Sequence, residues 1–479
     1  MKRIGSLIVT VLMAFSLIFG VVGCGGTGKT VISIDGGGAL GDFNTSRLTG
    51  YNTLEVLAKE YMQDHLNVEI KIERYSMGGR REDITARLQG KTAPDIIFQV
   101  PTSLAEDLGK DWYVQLNDYL EEPNPYNDNK LWKEIYDPSE LELTKGPDGN
   151  FYFVGLERSP VGIAYNKELF ARAGITKVPE TYSEFLVAQQ KLSKLTNNVD
   201  GATVAVTPFL PEFDWYKIIL ETSLFAPYIE ELDTIREDGL IDTEEFCKAY
   251  TNGLWSPRTD NYRDYIFFSG DKTKYYPSGW DTQQINRESE FARGNIGMYE
   301  INGQQLFSLY NDSNLKDKVG YFGYPTLDLK SNYLEGVTVT DGYIDYENIP
   351  DEYKIPENER YGVRRGFSGI STAWWITNTA VSKGSVEECV DFLMYLTSPT
   401  VNNRLIGDKG NSLPLSSDAP VPEILQPLVE QYNEAAYLLC IMYDIFVSDI
   451  SDEKRRCRIV HLHITADCLR VGVGAAVAA

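Results

Sequence analysis

Val68-Glu69-Ile70-Lys71-Ile72 alternates strictly between apolar and charged side chains, the pattern of a strand with one buried face. Just beyond it, residues 81–88 have the spacing of an amphipathic helix. Ala93-Pro94-Asp95 ends that helix, and Ile96-Ile97-Phe98 is a short apolar run suited to a buried strand. Before it, residues 51–61 place Leu54, Leu57 and Ala58 on one helical face, and the run from Val31 to Ile34 is closed by Asp35-Gly36-Gly37-Gly38. The order strand, helix, strand, helix, strand predicts a parallel sheet with right-handed crossovers. Ligands of such sheets sit beyond the carboxyl ends of the strands, which singles out the loops after Ile34, Ile72 and Phe98.

Further along, residues 151–155 and 161–165 read as two strands separated by a break at Ser159-Pro160. A helix over 166–173 stops at Gly174, and a longer one over 183–195 takes Ser183 as its N-cap. A second sheet is expected to grow from here. Residues 257–290, rich in Tyr, Asp and Gly, read as a surface excursion, and 343–361 as an acidic loop. Residues 296–299 and 319–322 read as strands, Trp374-Trp375-Ile376 as a buried strand, and 386–396 as an amphipathic helix. Alternation puts Trp374 and Trp375 on opposite faces, with one of them in the core.

The 479 residues allow two or three domains at roughly 150 residues each. An apolar fraction of 43% and a charged fraction of 24% are ordinary for a globular protein. A formal charge of −24 argues against a nucleic-acid partner, because phosphate binding needs a basic surface. Thirty tyrosines and seven tryptophans suit a polar-rimmed aromatic cleft.

At the N-terminus, Lys2 and Arg3 precede an uncharged apolar stretch over 7–19 that ends in Gly23-Cys24. This resembles a bacterial lipoprotein signal. It predicts removal of residues 1–23, lipidation of Cys24 with acyl chains such as palmitate, a linker over 24–30, and attachment to the outer face of the cell membrane. Of the other cysteines, Cys247 and Cys389 read as lone buried thiols, while Cys440, Cys457 and Cys468 crowd the end of the chain. His65, at the end of a helix, reads as a surface residue. Residues 440–479 depart from the acidic body, with basic residues at Lys454-Arg455-Arg456, and read as an atypical, non-native tail. Its Cys457, His461, His463 and Cys468 lack the spacing of a zinc site, so no metal is expected.

Three enzyme-like patterns fail on context. Gly23-x4-Gly28-Lys29-Thr30 has the letters of a phosphate loop, but that loop must lead into a helix and a strand follows here. Asp35-Gly36-Gly37-Gly38 is similar to the oxyanion loop of patatin-like lipases, yet no G-x-S-x-G elbow accompanies it: Gly366-Phe367-Ser368-Gly369 has the wrong spacing. With His65 the only histidine before the tail, a Ser-His-Asp or Cys-His site has no base. Neither a catalytic constellation nor a cofactor is expected.

Four segments together resemble the bacterial extracellular solute-binding proteins of the sugar-binding type, the family of maltose-binding protein. They are Ala93-Pro94-Asp95-Ile96-Ile97-Phe98; the run from Gly162 through Tyr165-Asn166-Lys167 to Phe170, with Pro179-Glu180-Thr181-Tyr182-Ser183-Glu184-Phe185 after it; Phe291-Ala292-Arg293-Gly294-Asn295-Ile296-Gly297-Met298 with Asn302-Gly303; and residues 386–398. The resemblance runs over about 31–438. It implies an α/β, two-lobed periplasmic-binding-protein-like fold of type II, each lobe a sheet flanked by helices, joined by hinge crossings. On it, residues 31–156 and about 327–410 form one lobe, and 157–326 and about 411–439 the other.

The resemblance also implies a monomeric binding protein, not an enzyme, that takes a sugar or oligosaccharide into an interlobe cleft for an ABC importer's permease subunits. A peptide or polyol as solute, or a secreted carbohydrate-active enzyme, are the alternatives. The implied ligand contacts are Gln99, Thr102 and Ser103 past the Pro-Asp-Ile-Ile-Phe strand, Arg158 or Ser159 on the first crossing, and Ser371 and Thr372 before the Trp374 strand. Gln304 and Gln305 replace the aromatic residue expected after Asn302-Gly303, leaving Trp215, Tyr216 and Trp280 as the stacking candidates.

Overall fold

The computed structural model describes residues 28–36, 53–73, 80–99, 103–142, 144–146, 148–199, 201–211, 228–235, 241, 243–280, 285–329, 339–340, 343–356, 367–409 and 412–415. Cys24, the signal and the tail over 440–479 lie outside them.

The opening β-α-β-α-β unit forms as its pattern requires. Strands β1 (Thr30–Asp35), β2 (Val68–Glu73) and β3 (Ile96–Phe98) are parallel, with β1 in the middle: Thr30 pairs with Val68, and Ile34 with both Ile72 and Ile96. The helix Thr53–Asp64 buries Leu54, Leu57, Ala58 and Tyr61, and the helix Arg80–Gln89 buries Ile84 and Leu88 on the opposite side.

The two strands expected on either side of Ser159-Pro160 are one, β4 (Phe153–Asn166). Proline is tolerated because its φ suits an extended chain and only one ladder donor is lost. Its partner strand absorbs that loss: the register slips between Phe367 and Ile370, opposite Pro160 and Arg158. After Asn166, whose side chain accepts from the N–H groups of Glu168 and Leu169, comes the helix Lys167–Arg172. Gly174 takes φ 68°, which ends it. The next helix is Tyr182–Leu192, and its N-cap is Thr181 rather than Ser183. Thr181 and Glu184 form a reciprocal capping box, while Ser183 is buried inside the helix and donates its N–H (3.0 Å) and hydroxyl to Asp328.

A hairpin of β5 (Thr196–Val199) and β6 (Ala202–Ala205) leads to β7 (Thr207–Leu210). Strand β8 (Ile296–Asn302) runs parallel to β7 and antiparallel to β4, and β9 (Val319–Phe322) also joins β4. Gly162 is needed where these strands meet, since a Cβ there would stand 2.6 Å from the Phe322 carbonyl oxygen. Strands β10 (Val339–Thr340) and β11 (Tyr343–Ile344) pair with each other, and β12 (Phe367–Ile376) pairs with both β3 and β4. The main sheet therefore runs β2-β1-β3-β12-β4-β8-β7.

Two sets of cores lie along it. The first lobe buries Ile32, Trp132, Leu156, Trp374 and Phe392 on one sheet face, and Ile97, Trp112, Phe153 and Trp375 on the other. The second lobe buries Val161, Phe185, Phe209 and Tyr324 on one face, and Tyr299, Ile301 and Tyr321 on the other. Both Trp374 and Trp375 are therefore core, on opposite faces. Leu327, Leu329, Ile344, Tyr346 and Ile349 pack with Phe185 and Phe209, so the chain has not returned to the first lobe at about 327; β12 makes that return.

The stretch expected as a surface excursion is also structured. It holds the helices Asp260–Asp271 and Arg287–Ala292, and Tyr265, Phe267 and Tyr276 pack on the second core. Tyrosines interleaved with Asp hide an aromatic stripe from a hydropathy reading. Two smaller expectations change. Cys389 is buried but Cys247 only partly so. His65 is not a plain surface residue: its ring stacks on Tyr61 at 3.9 Å, and Nε2 lies 3.0 Å from the Tyr126 hydroxyl and 3.4 Å from Asp391. Burial first, then bonding to Asp391, raises the pKa of both tyrosines.

Candidate functional site

The strand registers fix where a ligand-binding region can be. Strand β4 leaves the first lobe after Leu156 and enters the second at Val161, where it meets Asn302, the last residue of β8. Leu210, at the end of the parallel strand β7, pairs with Tyr299 near that same end. Strand β12 runs the other way, and its Ala373 carbonyl accepts from the Gln99 N–H at the close of β3. The carboxyl ends of the parallel strands in both lobes thus face the segments in which the chain crosses between them. A ligand site of an open α/β sheet belongs at such ends, and here two sets converge.

A further segment of the chain lies beside these two crossings. Leu413 is in the second core and Leu415 in the first, and Arg158 and Leu413 exchange two backbone hydrogen bonds of 2.9 Å.

Several of the expected contact residues stand at this junction. Gln99 is buried at the end of β3, and its carbonyl oxygen accepts from the Trp375 indole at 3.1 Å. Ser103 is buried at the start of the short helix Ser103–Asp107. Arg158 and Ser159 lie in the crossing stretch of β4, and Ser371 and Thr372 in that of β12, with Ser371 opposite Glu157. Gln304 and Gln305 open the helix Gly303–Asn311 directly after β8. The Gln305 side-chain oxygen accepts from the Asn302 N–H at 3.0 Å, so that end of the amide is taken up by a capping box. Trp280 is half-buried, edge-on to Tyr276 at 5.1 Å, and packed on the same second-lobe core as Leu210 and Leu413. Thr102, Trp215 and Tyr216 lie outside the described residues.

The structure adds residues that the sequence did not single out. Asp35 is fully buried at the end of β1, and Glu157 is buried in the crossing strand. A carboxylate inside an otherwise apolar strand was a usable signal, since acids are rarely buried without a partner. Asp107 anchors the segment after β3. It receives both Nη atoms of Arg81, at 2.9 and 2.7 Å, the Tyr113 hydroxyl at 2.8 Å and Lys110 at 3.2 Å. A bidentate guanidinium pair fixes orientation as well as distance, so it ties the post-β3 loop to the helix Arg80–Gln89. Burial, followed by the Asp107 charge, raises the Tyr113 pKa.

Thr30 opens a strand, so the letters of a phosphate loop ending there do not lead into a helix. Among the described residues no three His, Cys, Asp or Glu side chains are grouped to hold a metal, and no helix is long and apolar enough to cross a membrane.

Comparison with known proteins bears on this geometry. The family model described as bacterial extracellular solute-binding protein matches residues 45–402. Among solved structures, the chain is similar to RafE of Streptococcus pneumoniae in complex with raffinose, with a TM-score of 0.56 and 16% identity over 94% of this chain and 98% of that one. It is also similar to an ABC transporter solute-binding protein from Thermotoga lettingae bound with alpha-D-tagatose (0.57; 14%; 94% and 99%). A cyclo/maltodextrin-binding protein complexed with maltotetraose matches at 0.57 and 13% identity, over 94% and 97%. At such identities these likenesses show the fold, a type II two-lobed one.

Proposed function

The chain belongs to the bacterial extracellular solute-binding proteins, and from that membership we propose that it is the solute-binding component of an ABC import system for a sugar or oligosaccharide. The observation that carries this reading is the meeting of both lobes' strand ends where β4 and β12 cross between the lobes. That is a place where a solute can be enclosed by hinge closure. The sugar-bound structures that share the fold support a carbohydrate as the solute. Gln99, Ser103, Ser159, Ser371, Thr372 and Gln304 supply amides and hydroxyls for sugar hydroxyl groups. Thr102, Trp215, Tyr216, Trp280 and Gln305 complete the proposed contacts. The protein acts as a monomer and is not an enzyme.

Cys24, lipidated after loss of residues 1–23, would hold this body near the permease it serves. In cell fractionation, Cys24→Ser is expected to move the protein out of the membrane fraction; retention there would sink the anchor.

A melting-curve screen tests the main reading. Raffinose, maltotetraose and D-tagatose are natural first probes. A sugar at a hundred times its Kd should stabilise the protein by about 2.7 kcal/mol and be recovered intact. Absence of any shift across a broad sugar panel, or release of hydrolysis products, would overturn it.

A further inference from the structure

Both described passages of the chain between the lobes, β4 and β12, meet the segment 412–415 at Arg158. Its backbone lies in β4 opposite Ile370 of β12, and its N–H and carbonyl both pair with Leu413. The side chain then reaches further. Nη2 donates to the Pro414 carbonyl at 3.3 Å, and Nη1 lies 3.6 Å from Glu140 on the helix Pro138–Glu142. Glu140 is buried and its neighbour Leu141 belongs to the first core. One guanidinium therefore straps a first-lobe helix to the segment 412–415, at the residue where the two passages are already paired.

We propose that Arg158 is a hinge pin, a positioning residue that holds the two lobes pre-organised for solute, rather than one of the solute's contacts. The inference rests on the binding reading above. Strands β4 and β12 alone make a two-stranded ribbon that can twist; the strap to Leu413 and Pro414 restrains it. A planar guanidinium bridges a carboxylate and a carbonyl in fixed directions, whereas an ammonium is a point charge on a flexible stem. Lobes released from the pin must be ordered when solute binds, and apparent affinity falls with the fraction of molecules that are competent.

Hydrogen exchange on the full chain without ligand reads the pin directly. In Arg158→Met, exchange in peptides spanning Arg158 and Leu413 should quicken by about tenfold or more, while peptides from β8 stay as they are. For a sugar that shifts the wild-type melting curve, Kd should rise by about five- to twentyfold, and Arg158→Lys should restore little. Glu140→Gln, a milder change outside the proposed contacts, should move both readouts the same way by less. A weaker Kd with unchanged exchange would make Arg158 a ligand contact and overturn the pin. Unchanged exchange and Kd in both variants would overturn it as well. Should the wild type bind no sugar, the transport reading fails while the exchange data still decide the pin.

Discussion

Asp95→Ala is expected to destabilise the first lobe by about 3–5 kcal/mol, of the size seen when one partner of a buried polar network is removed. Asp95 is fully buried at the start of β3. Its carboxylate accepts from the Ser33 N–H at 2.8 Å, the Ser33 hydroxyl at 2.7 Å, Lys383 at 2.7 Å and the Ser385 hydroxyl at 3.2 Å. The Asp95 N–H donates back to the Ser33 hydroxyl at 3.1 Å, and its carbonyl accepts from Thr377. One side chain thus joins β1, β3 and the turn between the helices Asn378–Lys383 and Val386–Thr397. Lys383 contributes little to the loss, because it is 45% exposed and turns to water when its partner goes. The cost comes from the Ser33 and Ser385 donors, each left buried without this acceptor at about 1–3 kcal/mol. Asp95→Asn keeps one acceptor oxygen but sets an amide donor against other donors, so it should lose about half as much. Chemical denaturation, with hydrogen exchange to assign the loss to the first lobe, measures both. A loss below about 1 kcal/mol in Asp95→Ala would mean that the network is not what holds these elements together.

That network gives physical content to Ala93-Pro94-Asp95-Ile96-Ile97-Phe98, which the sequence marks as a helix stop and a buried strand without announcing the role of Asp95. The surrounding β-α-β-α-β unit was legible from patterning alone, because every side chain of β2 reports its face and both helices show one apolar stripe. Legibility failed where a local rule was offset at a distance. Pro160 reads as a strand break, and the bulge that accommodates it is in β12, far along the chain. Ser183 and Thr181 are both good caps, and the choice falls to Thr181 because Ser183 is held by Asp328. Strand ends could be placed at the site from topology, but the partners of their side chains could not. Arg158 is the clearest case: Pro414 is 256 residues away, and nothing near Arg158 in sequence announces the strap.

The tandem tryptophans give the second large effect, and they are not equivalent. Trp375 is fully buried, with Tyr113 at 4.6 Å and Phe153 at 4.7 Å between ring centres. Trp375→Ala should cost about 3–5 kcal/mol through lost transfer energy and the cavity left behind. Trp374 is as deeply buried on the other face, and its alanine variant should lose a similar amount. Phenylalanine separates them. The Trp375 indole donates to the Gln99 carbonyl at 3.1 Å, whereas the Trp374 indole N–H has no acceptor among the described residues. Trp375→Phe therefore removes a buried hydrogen bond and Trp374→Phe removes none, so the first should be less stable than the second by about 1–3 kcal/mol. The difference should extend to binding. Gln99 closes β3 at the strand ends where solute is proposed to sit, and the indole bond joins its bond to the Ala373 carbonyl in holding its backbone to β12. Sugar affinity should fall in Trp375→Phe and stay near wild type in Trp374→Phe, measured by calorimetry at a temperature where both are folded. Equal affinities would show that Gln99 does not need its indole anchor to meet the solute, and would move the contact to other residues of the junction.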